Sequence, residues 1–118
     1  MGEHKISLRY TLTRLRKKGV KVFGYGASTK GNVILQWCGF SRDELKVIVD
    51  INPDKFGTLT PGTWIPIVSE DYVKKEQPDC FLILPWHFRQ NLLSREREFL
   101  QRGGKMIFPL PDIETVGL

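Results

Sequence analysis

The chain has 118 residues, 41% of them hydrophobic and 26% charged, which is enough for one globular domain with one core. Seven Phe, three Tyr and three Trp argue against intrinsic disorder, and the apolar runs are far shorter than a membrane-spanning helix. The net charge of +5 raises nucleic acid as a partner, but no nucleic-acid motif accompanies it, and Arg16, Lys17 and Lys18 fall where cations favour the end of a helix dipole.

Residues 5–18 read as a helix, because Leu8, Leu12 and Leu15 form one apolar stripe and Gly19 supplies a stop. Val20-Lys21-Val22-Phe23 alternates apolar and polar residues and reads as a strand. A glycine loop, Gly24-Tyr25-Gly26-Ala27-Ser28-Thr29-Lys30-Gly31, leads into a second helix over 29–38. Val33, Ile34 and Trp37 share its expected apolar face, and Gly39 ends it. Leu45 to Asp50 is a β-branched, mostly apolar strand, suited to burial on both faces.

Asn52-Pro53-Asp54 and Thr60-Pro61-Gly62 break the pattern and bracket an irregular loop over 52–63, a candidate functional loop. Residues 64–68 could form a short strand, which Pro66 confines to a sheet edge. Ser69 precedes a short helix through Lys75 with Glu70 and Asp71 in its first turn. Cys80 to Leu84 is a strand stopped by Pro85. A long helix over 88–101 follows, with Phe88, Leu92, Phe99 and Leu100 as its apolar side. Gly103 and Gly104 end that helix, and Lys105 to Phe108 is a last strand. Alternating strands and helices predict an α/β domain: a Rossmann-like three-layer αβα sandwich with a mostly parallel sheet of about five strands.

Two features could meet a ligand. At the glycine loop, glycines permit close backbone approach, the helix start offers N–H groups, Ser28 and Thr29 add hydroxyls, and Lys30 adds a cation. About 20 residues on, Asp50 closes the second strand, where dinucleotide-binding folds place the acid that holds a ribose hydroxyl. The glycine spacing departs from Gly-x-Gly-x-x-Gly, and Asn32-Val33 stands where a P-loop needs Lys-Ser/Thr. The glycines either meet a ligand or simply make a tight turn. The second feature is Pro85-Trp86-His87-Phe88 at the end of the third main strand. There His87 either serves as an acid–base or hydrogen-bonding group or helps cap the next helix while Trp86 packs. No metal-ligand spacing is present. Cys38 and Cys80 lack a Cys-x-x-Cys partner and read as free thiols in a reducing, cytoplasmic compartment; no signal-peptide pattern opens the chain.

The blocks Gly24-Tyr25-Gly26-Ala27-Ser28-Thr29-Lys30-Gly31-Asn32, Val49-Asp50-Ile51-Asn52-Pro53-Asp54-Lys55, Thr60-Pro61-Gly62-Thr63, Ile65-Pro66-Ile67, Pro78-Asp79, Leu84-Pro85-Trp86-His87-Phe88, Gly103-Gly104-Lys105 and Phe108-Pro109-Leu110-Pro111 occur in this order. Together they resemble the C-terminal domain of the SAM-dependent sugar C-methyltransferases. The resemblance implies a lead-in helix over 1–19, a Rossmann-like domain over 20–112 and a tail over 113–118. It implies an auxiliary domain that helps enclose a nucleotide-linked keto sugar, a dTDP-sugar by expectation, beside the SAM-binding domain of the same polypeptide. Gly24, Tyr25, Gly26, Ala27, Ser28, Thr29, Lys30, Asp50, Trp86 and His87 are the residues expected against that substrate, and none is expected to be catalytic. SAM and zinc are expected in other domains, because this chain lacks both a cysteine cluster and the acidic glycine-rich SAM signature. On its own, then, this chain is not expected to transfer a methyl group. The alternative is an independent nucleotide- or CoA-binding module.

Overall fold

The computed structural model describes residues 2–27, 29–109 and 113–117, with the side chains of residues 2–5, 29 and 30 outside the description. The elements run in the order α1 (Gly2–Lys17), β1 (Val22–Tyr25), α2 (Thr29–Cys38), β2 (Ile48–Val49), β3 (Ile67–Val68), α3 (Glu70–Glu76), β4 (Cys80–Ile83), α4 (Arg89–Arg95), α5 (Arg97–Gln101), β5 (Lys105–Phe108) and β6 (Glu114–Gly117). They build one sheet of order β3-β2-β1-β4-β5-β6. All its pairs are parallel except β5 with β6.

The alternation along the central strands divides the core into two layers. Val22, Cys80, Leu82 and Ile107 face one side, where Leu8 and Leu12 of α1 and Ile34, Leu35 and Cys38 of α2 cover them. Phe23, Phe81, Ile83, Met106 and Phe108 face the other side, under Leu92, Phe99 and Leu100 of α4 and α5, with Tyr72 and Val73 of α3 at the margin. This is the three-layer α/β sandwich expected from the sequence. Residues with period-two alternation and apolar character on both faces can be buried only between two helical layers.

Several local expectations change. The sheet has six strands, not about five. The added strand, Glu114–Gly117, has mostly exposed side chains, so no apolar pattern marks it. The buried face of α2 is Ile34, Leu35 and Cys38, whereas Val33 is 62% exposed. The long helix opens with a 3-10 turn, Trp86–Phe88, which leaves Phe88 exposed. It is then divided at Glu96 (φ −99°, ψ 27°), although the Glu96 N–H still reaches the Leu92 carbonyl at 3.0 Å. β3 lies at the sheet edge, the place that Pro66 permits. Cys38 and Cys80 are both buried, and neither forms a disulfide among the described residues. No helix among the described residues is long and apolar enough to cross a membrane.

Candidate functional site

In a parallel sheet the loops leaving the carboxyl ends of the strands meet at one edge. Here Tyr25 pairs in register with both Val49 and Ile83, so β1, β2 and β4 end level with one another. The strand order reverses between β1 and β4, which makes this the crevice where such sheets take ligands. The segments at its rim are the glycine loop, the chain from Asp50 to Lys55, and the turn from Pro85 to Phe88.

Gly24 belongs to β1 rather than to the loop. A Cβ there would stand 2.7 Å from Ile48 Cγ1, so its missing side chain serves sheet packing. Gly26 makes the turn: its φ is +84°, its N–H donates to the Val49 carbonyl at 2.7 Å, and a Cβ would fall 2.6 Å from Pro85 Cδ. The backbone approach that a ligand phosphate would need at Gly26 is therefore taken by the Pro85 ring.

Asp50 is the hub of the rim. Its Oδ2 accepts the Ala27 N–H at 2.8 Å, and its Oδ1 accepts the Asn52 N–H at 2.8 Å. The Lys55 ammonium lies 3.8 Å from the same Oδ2 and donates to the Ala27 carbonyl at 2.6 Å. The Asp50 side chain is only 10% exposed. An acid placed to hold a ribose hydroxyl is here occupied by the protein's own backbone. The 52–63 loop is fixed over the glycine loop by Lys55 and is further braced by Gln36, which donates to the Pro61 carbonyl at 2.8 Å. Within that loop the buried Thr60 and Thr63 hydroxyls bond each other, and Thr60 also accepts the Ile65 N–H at 2.9 Å.

The remaining expected residues divide. Tyr25 turns its ring to the α3–α5 side, edge-on to Phe81 at 5.3 Å. Trp86 packs against both core layers. His87 is exposed, its ring 5.5 Å from that of Trp86 and 4.3 Å from that of Phe88. Ser28 lies outside the described residues, and Thr29 and Lys30 open α2 with their side chains outside the description. The structure thus gathers Gly26, Ala27 and Asp50, adds Lys55 and Pro85, and sets Trp86 and His87 on the adjoining turn.

The hollow left at the crevice has a volume of 150 Å³ and is bounded by Tyr25, Gly26, Asp50, Pro85, Leu92 and Arg95, among others. Ligand pockets commonly need about 300 Å³ or more. With Pro85 over Gly26 and the Asp50 carboxylate engaged, neither group is left open to a ligand. Behind the crevice, Tyr25 and Glu96 form a polar pair that no local sequence pattern marks. The Tyr25 hydroxyl is buried beside Glu96 without a hydrogen bond of standard geometry to a described residue. Burial, reinforced by the Glu96 charge, pushes its pKa up to about 12, and burial likewise raises the Glu96 carboxyl.

Residues 1–111 match the family described as the C-methyltransferase C-terminal domain. Over 98 residues the chain is 38% identical to the C-methyltransferase NovU of Streptomyces niveus, an alignment that covers 83% of this chain and 23% of that protein. The chain therefore spans less than a quarter of the length of that relative.

Proposed function

The chain belongs to the C-methyltransferase C-terminal domain family, and from that premise we propose that it forms one wall of the substrate site of an enzyme that methylates a carbon of a nucleotide-linked keto sugar. The supporting observation is the form of the carboxyl edge. Its crevice is filled from within by Pro85 and by the Asp50–Ala27–Lys55 staple, while Ile51, His87 and Phe88 stand exposed along its rim. A filled and braced edge suits a wall against which a ligand is enclosed by another domain.

In this reading SAM and zinc are held by other parts of the longer polypeptide, whose SAM-binding domain is this chain's partner. The substrate is a dTDP-sugar, and this chain alone transfers no methyl group. His87 is the polar group on the wall best placed to meet the sugar nucleotide. A cytoplasmic location is in keeping with Cys38 and Cys80 being reduced thiols rather than a disulfide. An independent nucleotide- or CoA-binding module fits less well at the crevice, because Pro85 blocks the Gly26 backbone and the Asp50 carboxylate is held by Ala27 and Asn52.

The test is steady-state methyl transfer by the full-length enzyme with a dTDP-linked keto sugar. His87→Ala and Ile51→Ser raise KM for the sugar nucleotide while KM for SAM stays constant. If both variants leave KM and kcat for the sugar nucleotide unchanged, this edge is not part of the substrate enclosure.

A further inference from the structure

α3 and α4–α5 lie on the same face of the sheet, but they do not close over it. α3 has no fully buried residue, and a groove of 460 Å³ runs between the helices with Tyr25, Val49 and Phe81 among its lining. The groove adjoins the crevice hollow: the two share Tyr25, Val49, Glu70 and Arg95. Glu70 begins α3 and Arg95 ends α4, and the two side chains form an ion pair at this junction.

That ion pair is a weak closure. Its members are 48% and 43% exposed, and solvent-screened pairs of that kind add little to stability. A guanidinium fork, in contrast, binds phosphate oxygens in two parallel charge-assisted bonds. Lys74, Arg97 and Arg102 also line the groove, against the carboxylates of Glu96 and Glu98. With Glu70 displaced, the cations Lys74, Arg95, Arg97 and Arg102 outnumber the acids Glu96 and Glu98 there. The Tyr25 hydroxyl, buried beside the Glu96 carboxylate, is a neutral donor at the same junction that a phosphate oxygen could take over from Glu96.

We propose that this junction is a binding site for the phosphate or pyrophosphate group of a small molecule, whose oxygens replace the Glu70 carboxylate on Arg95 and take a hydrogen bond from Tyr25. Glu70 is then a built-in competitor that keeps Arg95 oriented until the ligand arrives. Apart from Tyr25, which the resemblance also set against the substrate, the site uses residues on the helical side of the sheet that the wall reading does not require, so the two readings can fail separately.

The experiment is titration of the 118-residue chain with inorganic pyrophosphate, followed by amide NMR. Shifts are expected at Tyr25, Glu70, Arg95 and Glu96. Arg95→Gln weakens binding at least tenfold. Glu70→Gln tightens it at least threefold, whereas Glu98→Gln, which removes the same charge from the same groove, changes it less than twofold. Equal tightening by the two glutamate variants would reduce the effect to bulk charge and overturn the proposal, as would unchanged binding by Arg95→Gln. Native-like amide spectra of each variant establish that all are folded, and Tyr25→Phe, with a loss of at least twofold, separates the hydroxyl's contribution from the ring's.

Discussion

The Asp50 carboxylate and the Ala27 N–H are joined by a 2.8 Å hydrogen bond across 23 positions of sequence, and Lys55 closes the same ring by reaching the Ala27 carbonyl. One carboxylate thereby fixes the loop after β1, the loop after β2 and the distance between them. Asp50→Ala leaves two backbone N–H groups without their acceptor and takes away the carboxylate 3.8 Å from the Lys55 ammonium. The expected loss is about 1–3 kcal/mol, read from urea unfolding. Asp50→Asn keeps an oxygen and loses less. Wild-type stability in the alanine variant would mean that the loops are held by something else.

Gly26 and Gly57 have nearly the same backbone, φ +84° and +82°, but different surroundings. Nothing stands within 4 Å of a Cβ built at Gly57, whereas Pro85 blocks one at Gly26. Gly57→Ala should therefore cost only the left-handed strain, about 1 kcal/mol. Gly26→Ala adds overpacking against a rigid ring, for about 2–4 kcal/mol in all. Thermal denaturation of the two variants side by side measures the difference, and equal losses would remove Pro85 from the account.

Tyr25 and Glu96 make stability depend on pH in opposite ranges. The Tyr25 pKa is raised by burial from 10.0 to about 12, so its contribution is complete below pH 10 and is lost as pH rises toward 12. Ultraviolet difference titration should show a late phenolate step that Tyr25→Phe removes. The raised carboxyl of Glu96 favours the protonated form, so its ionisation opposes folding at neutral pH. Glu96→Gln should raise Tm at pH 7, with the gain fading as pH falls toward the ordinary carboxyl range. A lowered Tm at pH 7 would contradict this.

Cys80 is buried in the sheet, and burial pushes its thiol up to about 12; Cys38, the last residue of α2, is buried against the sheet. Neither thiol should react with a disulfide reagent in the native chain at neutral pH, and both should react in denaturant. Rapid native labelling would show that the core opens far more often than its packing implies.

The layers were legible in the sequence because β1, β4 and β5 are apolar on both faces and alternate with helices along the chain, and the edge position of β3 was written in Pro66. β6 was not legible, since only Val116 packs on the core and its pairing comes from β5. Nor was the face of α2: Val33 and Leu35 are equally apolar, and only the direction of approach to the sheet decides which is buried. At the site, the position of Asp50 could be read from its distance to the glycine loop, but its function could not. Its partners Ala27 and Lys55 are brought to it by the return of the chain through β2. The same holds for Glu70 and Arg95, 25 positions apart on different helices, which no local pattern connects.

The 57–60 segment has a consequence beyond the site. Gly57 donates to the Ile67 carbonyl at 3.0 Å, Ile67 donates to Thr58 at 2.9 Å, and Thr60 donates to Ile65 at 2.9 Å, so the loop occupies the outward backbone groups of β3 beside a proline that has no N–H. That margin is closed to templated growth, in which an unpaired strand recruits one from a neighbouring molecule. Among the described residues, backbone-mediated stacking of copies is therefore left to Glu114–Gly117 at the opposite margin. A charged, glycine-ended strand of four residues there is a poor nucleus for fibres.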